Sequence, residues 1–107
     1  MTILNLEKIP YRLKREGLHI KLLTGEKTQL CMIKLDPGLK TDHSHVHEQM
    51  GYILSGEVEL TIAGQTETLQ PGDAYHIPAN VGHGFHVSGP QPVEYIEIFN
   101  PPKPENG

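Results

Sequence analysis

Four side chains that could bind a metal ion recur at every second position of one short segment: His43, His45, His47 and Gln49. On a helix His43 and His47 would share a face and His45 would point away, whereas on a strand all four would point the same way. The turn pair Pro37-Gly38 before the segment and the alternating residues after it favour the strand. Alternate Cα atoms of a strand lie about 6.6 Å apart, and two imidazoles at that spacing can bind one ion at about 2.1 Å. The pattern indicates a metal site, and its alternative is a solvated polar loop that happens to be rich in histidine.

The elements that would position this segment are short strands. Eleven glycines and nine prolines in 107 residues leave no room for long helices. Apolar and polar residues alternate in runs such as 57–62 and 93–100, and a period of two is typical of half-buried strands. About eight to ten such runs, with turn signals roughly every 8–12 residues, predict an antiparallel sandwich or barrel. Ala63-Gly64 predicts a tight hairpin, and a short helical turn could lie within residues 5–16.

Residues 37–60 resemble the first sequence motif of the small cupins. In that motif a glycine, a His-x-His pair, an acid and a second glycine follow one another at set spacing. The corresponding residues here are Gly38, His43, His45, Gln49 and Gly56. An amide therefore stands where the family usually has an acid.

Residues 72–87 resemble the second cupin motif through Gly72, Pro78 and His83. Asn80 stands where the motif usually has glycine, and Val87 where it has asparagine; asparagine tolerates left-handed backbone nearly as well as glycine does. The resemblance extends over residues 30–99. It implies an all-β, RmlC-like cupin fold, which is a double-stranded β-helix or jelly-roll barrel.

The same resemblance implies a set of metal ligands, namely His43, His45, Gln49 and His83. It also implies one divalent transition metal ion per chain, which could be zinc, nickel, iron, manganese or copper. Three neutral imidazoles and a neutral amide would leave the full positive charge on the ion. Its Lewis acidity toward a bound oxygen should then be high.

Small cupins with His-x-His-x-x-x-Gln include the uronate-linearising proteins of pectin degradation. This similarity implies metal-assisted isomerisation or ring opening of a small oxygenated molecule such as a sugar acid. Cupins carry many chemistries on one scaffold, so two alternatives stay open. One is a protein that binds a sugar or carboxylate without turnover, and the other is a metal-dependent dioxygenase. A cupin that has lost its metal altogether is a further possibility.

Several other residues are candidates with a weaker basis. Tyr52 and His47 could bind the substrate, although His47 could equally be a surface residue in a bend. His86 alternates with its neighbours so that it lies on the opposite face from His83 and is not predicted as a ligand. Glu48 and Glu97 are candidate acids without geometric support from the sequence, and no catalytic residue is identified.

Composition and charge exclude several classes of partner. The net charge is −4 with scattered basic residues and no tryptophan, so nucleic-acid binding is not expected. The single cysteine cannot form an internal disulfide. No apolar run approaches the roughly 20 residues that span a membrane, and the first residues lack the pattern of a signal peptide. We expect a cytoplasmic protein that binds a small molecule and has no membrane partner.

Along the chain we expect three parts. Residues 1–29 would form N-terminal strands, residues 30–99 the cupin barrel, and residues 100–107 a flexible proline-rich tail. The strand-like segment 3–9 has few partners of its own, and an uncovered apolar edge strand promotes pairing with another chain. We therefore predict a homodimer that involves the N-terminal strands.

Overall fold

Nine strands and two single turns of 3-10 helix build the chain in this computed structural model, which describes all 107 residues. The strands are β1 (Arg12–Arg15), β2 (Leu18–Thr24), β3 (Gln29–Leu35), β4 (Glu48–Ser55), β5 (Val58–Ile62), β6 (Gln65–Leu69), β7 (Ala74–Ile77), β8 (His83–His86) and β9 (Val93–Asn100). The two turns cover Leu6–Lys8 and Pro104–Asn106. No helix of the structure has the length and apolar character needed to cross a membrane.

The strands form two antiparallel sheets, as the sequence pattern predicts. One has six strands in the order β1-β2-β3-β9-β4-β7, and the other has three in the order β6-β5-β8. Between them lies a core of 15 buried apolar side chains contributed by both sheets. The prediction of an all-β antiparallel fold is confirmed.

The alternation of apolar and polar residues explains which face of each strand is buried. In β9, Val93, Tyr95 and Phe99 are buried, while Ile98 is exposed. Glu97 is in phase with the buried residues and is itself buried. Burying a carboxyl group in an apolar core is costly unless it has polar partners, so this residue marks a specialised part of the interior.

Two of the predicted turns have the backbone geometry that their residues suggest. Ala63 and Gly64 between β5 and β6 have φ of 50° and 80°, and two consecutive positive φ values are the mark of a two-residue type I′ hairpin. Asn80 has φ of 66°. The asparagine that replaces the usual glycine of the second motif therefore does adopt the left-handed conformation.

The C-terminal segment 100–107 differs from the flexible tail that its composition suggests. Lys103 and Asn106 are buried, and the Asn106 side chain donates to Gln29 Oε1 at 3.0 Å. The side chains of Arg12 and Lys14 donate in turn to the carbonyl and side-chain oxygens of Asn106. Polar contacts with β1 and β3 thus hold a segment that has little apolar surface of its own.

Residues 1–29 contain two strands, β1 and β2, but the strand-like segment 3–9 is not one of them. The first strand begins only at Arg12, and residues 1–5 are exposed and in no strand. The 3-10 turn at Leu6–Lys8 lies inside the window where a helical turn was predicted. The role of residues 1–29 in dimer formation stays a prediction.

Candidate metal centre

Three histidines from two distant parts of the chain meet at one end of the barrel. His43 forms an isolated β-bridge with His83, each donating its N–H to the other's carbonyl oxygen at 2.9 Å. The nitrogens with which His43, His45 and His83 could ligate an ion all lie within 4.8 Å of one another. That spacing allows the three side chains to hold one metal ion.

The local backbone differs from the predicted strand over residues 43–49. Strand β4 begins only at Glu48, and the segment before it is irregular apart from the bridge at His43. The His-x-His pair still converges, with ring centroids 5.2 Å apart. The bridge to His83, rather than a continuous strand, brings the pair to β8.

Backbone hydrogen bonds fix which nitrogen two of these histidines present to the site. His45 Nδ1 lies 3.0 Å from the carbonyl oxygen of His47, and His83 Nδ1 lies 2.9 Å from that of Val81. A carbonyl only accepts, so both Nδ1 atoms carry the proton and both Nε2 atoms are free acceptors. Both Nε2 atoms are buried and have no hydrogen-bond partner. Orphaned imidazole nitrogens oriented from behind by carbonyl groups are typical of metal-binding histidines.

Gln49 presents a third orphaned acceptor. Its side chain is 2% exposed, and Nε2 donates to Glu97 Oε1 at 2.6 Å. Because an ionised carboxylate can only accept, the amide must turn its NH2 group to Glu97 and its carbonyl oxygen the other way. That oxygen, Oε1, is buried without a partner. The arrangement suits a neutral oxygen ligand, and coordination by Gln49 stays a prediction.

Electrostatics keep two of the cluster histidines neutral. Burial, the neighbouring His83 and the Lys103 ammonium lower the pKa of His43 from 6.5 to about 4. Burial and the same two neighbours, with Lys103 the stronger, also lower the pKa of His45. Since only neutral imidazole can ligate a metal, His43 and His45 are ready to do so at neutral pH.

Glu97 is the candidate acid that the structure places at the site. Its Oε1 accepts from Gln49 and also from the hydroxyl of Tyr75. Burial raises the pKa of this carboxyl from 4.5 to about 7, against the opposing effects of Tyr75 and Lys103. Gly51 makes room for the tyrosine, since a Cβ at that position would lie 2.2 Å from Tyr75 Oη. The sequence did offer a signal for Glu97, namely an acid in phase with the buried residues of β9.

A cationic wall completes the cavity and was missed by sequence reasoning. Lys14, Arg15 and Lys103 line the same cavity as His43, Gln49 and Glu97. Lys103 is buried, with Nζ 5.0 Å from the ring centroid of Phe99 and 3.7 Å from Glu105 Oε1. No local sequence pattern predicts that these side chains line the cavity, because they reach it only when β1 and the C-terminal segment have folded against the barrel.

The two weaker candidates for substrate binding have different positions. His47 is 9% exposed, and its Nδ1 lies 2.8 Å from the carbonyl oxygen of Pro101. Its ring lies 5.2 Å from that of His45, so it supports the cluster from behind and is not a surface residue. Tyr52 is 47% exposed and lies on the outer face of β4, three residues from the inward-facing Gln49. It does not line the cavity, and the prediction of a binding role there is not supported.

The remaining histidines lie away from the cluster. Each has a carboxylate beside it: Asp36 for His19, Glu48 for His76 and Glu59 for His86. His86 was predicted to lie on the opposite face from His83, and the structure agrees: along β8 His83 and Phe85 are buried, whereas His86 is half-buried and lies beside Glu59 of β5. Glu48, the other candidate acid, is exposed and is engaged with His76.

Comparison with known proteins identifies the scaffold. Residues 31–99 match the cupin domain family. The chain is 29% identical over 98 residues to the pectin degradation protein KdgF of Dickeya dadantii, a match that covers 89% of this chain and 88% of that one. The structure of KdgF from Halomonas sp. superposes with a TM-score of 0.89 at 25% identity, covering 98% and 97% of the two chains.

A dioxygenase is also similar to this chain, but over a smaller part of it. The acireductone dioxygenase of Bacillus subtilis is 32% identical over 65 residues, which is 56% of this chain and 36% of that enzyme. The match leaves most of the longer enzyme without a counterpart in this chain.

Proposed function

Because the chain belongs to the cupin domain family, we propose that it holds one divalent transition metal ion and isomerises or opens the ring of a small sugar acid. One observation carries the proposal. His43 belongs to the metal-competent histidine cluster, and the cavity that it lines with Gln49 and Glu97 also holds three cationic side chains. These donors and charges would complement a small anion with additional oxygen atoms.

The metal would be held by His43, His45 and His83, with the Gln49 carbonyl oxygen as a fourth ligand. Imidazole nitrogens favour zinc, nickel, iron, manganese or copper over magnesium or calcium. When bound, an ion held by neutral ligands supplies Lewis acidity toward a carbonyl or hydroxyl oxygen. The chain's own residues must then orient the substrate and handle its protons.

The substrate carboxylate would be bound by the cationic wall. Lys14, Arg15 and Lys103 offer ammonium and guanidinium donors, and an arginine can hold a carboxylate through two parallel hydrogen bonds. Lys103 is buried, so water and salt screen its charge only weakly, and an anion would share that charge with Glu105, whose Oε1 lies 3.7 Å from Nζ. These residues would select an acid over the corresponding neutral sugar.

Glu97 is the group placed to carry a proton within the cavity. Gln49 and Tyr75 both bond to its Oε1, and Oε2 has no hydrogen-bond partner in the protein. A carboxyl group with one anchored and one free oxygen can accept a proton from a substrate hydroxyl and return it to carbon. The similarity to two KdgF proteins, one of them described as acting in pectin degradation, supports a uronic acid as the substrate class.

The test begins with metal analysis of protein purified without a nickel column. The protein is then incubated with uronic acids released from pectin and with the corresponding neutral sugars, while NMR follows the ring protons and an electrode follows oxygen. We expect about one transition metal ion per chain and chelator-sensitive loss of uronate ring signals without oxygen uptake. Uronate binding without turnover would indicate the binding protein instead, and oxygen consumption would indicate the dioxygenase.

A variant addresses the cationic wall. Lys103→Gln should lower kcat/KM for a uronic acid by at least tenfold, because the buried positive charge is lost. Lys8→Gln, at an exposed position in the N-terminal turn, is the matched control and should leave kcat/KM unchanged. An unchanged kcat/KM in Lys103→Gln would contradict the proposed carboxylate recognition.

A further inference from the structure

Two buried amide side chains lie behind the cationic wall of the cavity. Gln29 is 1% exposed and Asn106 is 2% exposed. Gln29 begins β3, opposite Phe99 of β9, and Asn106 lies in the second 3-10 turn. Burying an amide is costly unless its hydrogen-bonding groups have partners. The partners of these two side chains therefore indicate what the amides do.

Gln29 uses the whole hydrogen-bonding capacity of its side chain. Nε2 donates to the carbonyl oxygen of Lys103 at 3.2 Å and to Thr24 Oγ1 at 3.1 Å. Oε1 accepts from Asn106 Nδ2 at 3.0 Å and from Cys31 Sγ at 3.6 Å. An amide has two N–H donors and an oxygen with two acceptor sites, so none is left free. Gln29 thus ties the C-terminal segment to β3 at two points.

Asn106 continues these contacts to the other wall lysine. Its Oδ1 accepts a hydrogen bond from the ammonium group of Lys14. An ammonium group can only donate and a main-chain carbonyl can only accept, so both ends of the series have a fixed direction. Lys14 donates to Asn106, Asn106 donates to Gln29, and Gln29 donates to the main chain of Lys103. We call Gln29 and Asn106 the amide pair.

Electrostatic repulsion opposes the arrangement that the amide pair holds. Burial, together with the charge of Lys103, lowers the pKa of Lys14. The Glu105 carboxylate near Lys103 is 56% exposed, and an exposed partner of this kind contributes little to an ion pair. Neutral amides hold the two lysines without adding a negative charge to the wall. The wall therefore keeps its positive charge for a ligand.

We propose that Gln29 and Asn106 are positioning residues, which fix Lys14 and Lys103 in the cavity wall and so set its preference for an acid over a neutral sugar. The role rests on the proposed function, in which these lysines bind the substrate carboxylate. Donors that are already in place bind a ligand without paying for their own ordering. Without the amide pair the long lysine side chains would gain rotamer freedom and turn toward water.

The position of Lys103 can be tested by NMR without any substrate. Its Nζ lies 5.0 Å from the ring centroid of Phe99, so the ring current should shift the signals of the methylene protons next to Nζ. Gln29→Met keeps a side chain of similar length, adds no charge and removes every amide contact. It should reduce that shift by at least half. Gln65→Met, at an exposed position of β6, is the matched control and should leave the shift unchanged.

The effect on selectivity is measured by isothermal titration of the zinc-loaded protein with galacturonate and with galactose. Gln29→Met should weaken galacturonate binding at least tenfold and change galactose binding less than twofold. The zinc affinity should also change less than twofold, because the amide pair has no hydrogen bond to the histidine cluster. A merely structural role would weaken the binding of both sugars alike. Gln65→Met should bind both as wild type does.

Asn106→Ala provides a second variant in case Gln29→Met fails to fold, because Asn106 lies outside the two sheets. It should reduce the ring-current shift by at least half and weaken galacturonate binding at least fivefold. An unchanged shift in these variants, or a reduced shift with unchanged preference for galacturonate, overturns the proposal. A wild type without that preference contradicts the proposed function instead. The shift then still decides whether the amide pair positions Lys103: its loss supports the positioning role, and its persistence overturns it.

Discussion

The histidines of this chain occupy two contrasting environments. Outside the barrel, each of three histidines lies beside a carboxylate oxygen, at 3.1 Å for His19, 2.7 Å for His76 and 3.4 Å for His86. The three histidines of the cluster make no such pair; their neighbours are other imidazoles, carbonyl groups and Lys103.

The difference separates histidines whose ring nitrogens have a carboxylate partner from histidines whose ring nitrogens have none. An imidazole beside a carboxylate already has a hydrogen-bond partner. In the cluster, lowered pKa values hold His43 and His45 neutral, and the buried Nε2 atoms of His45 and His83 have no hydrogen-bond partner. A metal ion can satisfy those nitrogens, whereas a proton would add charge to a buried, already cationic region.

The largest expected effect is on metal affinity, when a cluster histidine and a histidine beside a carboxylate are each replaced by alanine. His83→Ala should abolish metal binding, or weaken it by more than the roughly 10–100-fold typical of losses outside the ligand shell. His86→Ala, three residues away on the same strand, should leave the affinity unchanged. Isothermal titration with zinc or cobalt measures both. Wild-type affinity in His83→Ala would remove the cluster as the metal site.

The second effect is the influence of the buried Glu97 carboxyl on stability as the pH changes. It is measured on metal-free protein in the presence of a chelator. The folded-state pKa of Glu97, about 7, lies above the ordinary value of 4.5, so the folded protein holds the proton more tightly than the unfolded chain. The free energy of unfolding that this tighter proton binding adds is fully present below pH 4.5 and is lost as the pH rises to about 7. A shift of this size corresponds to about 3 kcal/mol.

Glu97→Gln should therefore lose that part of the pH dependence of unfolding free energy. Tyr75, Gln49, Lys14 and Lys103 face this carboxyl and remain in the variant. Glu59→Gln is the control, because that carboxylate lies outside beside His86. Urea unfolding at several pH values between 4.5 and 8 measures the slopes. Equal slopes in wild type and Glu97→Gln would contradict the assignment.

The third effect is steric and contrasts a crowded inner glycine with an open outer one. Gly51→Ala puts a Cβ 2.2 Å from Tyr75 Oη, and overpacking of this kind costs about 1–3 kcal/mol. Gly89→Ala meets no atom within 4 Å and should change stability by less than about 0.5 kcal/mol. Chemical denaturation measures both, and equal stabilities would show that Tyr75 moves aside freely.

The smallest effect tests the amide among the proposed ligands. If Gln49 coordinates, Gln49→Glu should bind metal at least as tightly as wild type, and the cobalt absorption spectrum should change. The new carboxylate would lie beside Glu97, so the two groups would have to share a proton near neutral pH. Gln49→Ala provides the comparison. If neither substitution changes affinity or spectrum, Gln49 is not a ligand.

The parts of this structure that were predictable from sequence depend on short-range patterns. A period of two identifies the strands, and the resemblance to two cupin motifs implies that His43, His45 and His83 share one site. Tyr52, a weak candidate for substrate binding, lies three positions from Gln49 on β4 and therefore on the opposite face of the sheet. Glu97 carried a usable signal in its phase with Tyr95 and Phe99.

The cationic wall was beyond such reasoning. Lys14 lies on an edge strand, and Lys103 lies in a segment whose proline-rich composition suggests flexibility. Their meeting at the cavity depends on the burial of Asn106 and its contacts with Gln29 and Lys14. Contacts between residues so far apart leave no trace in local composition.

That docked C-terminal segment has a consequence for the entropic cost of assembling the site. His43 and His83 are 40 residues apart (83 minus 43), whereas Lys14 and Lys103 are 89 residues apart (103 minus 14). Each doubling of a loop adds about 0.6 kcal/mol to the entropic cost of closing it, so the cationic wall closes at the greater cost. The entropic cost of forming the cavity therefore falls more on the side chains proposed to bind an acid than on the proposed metal ligands.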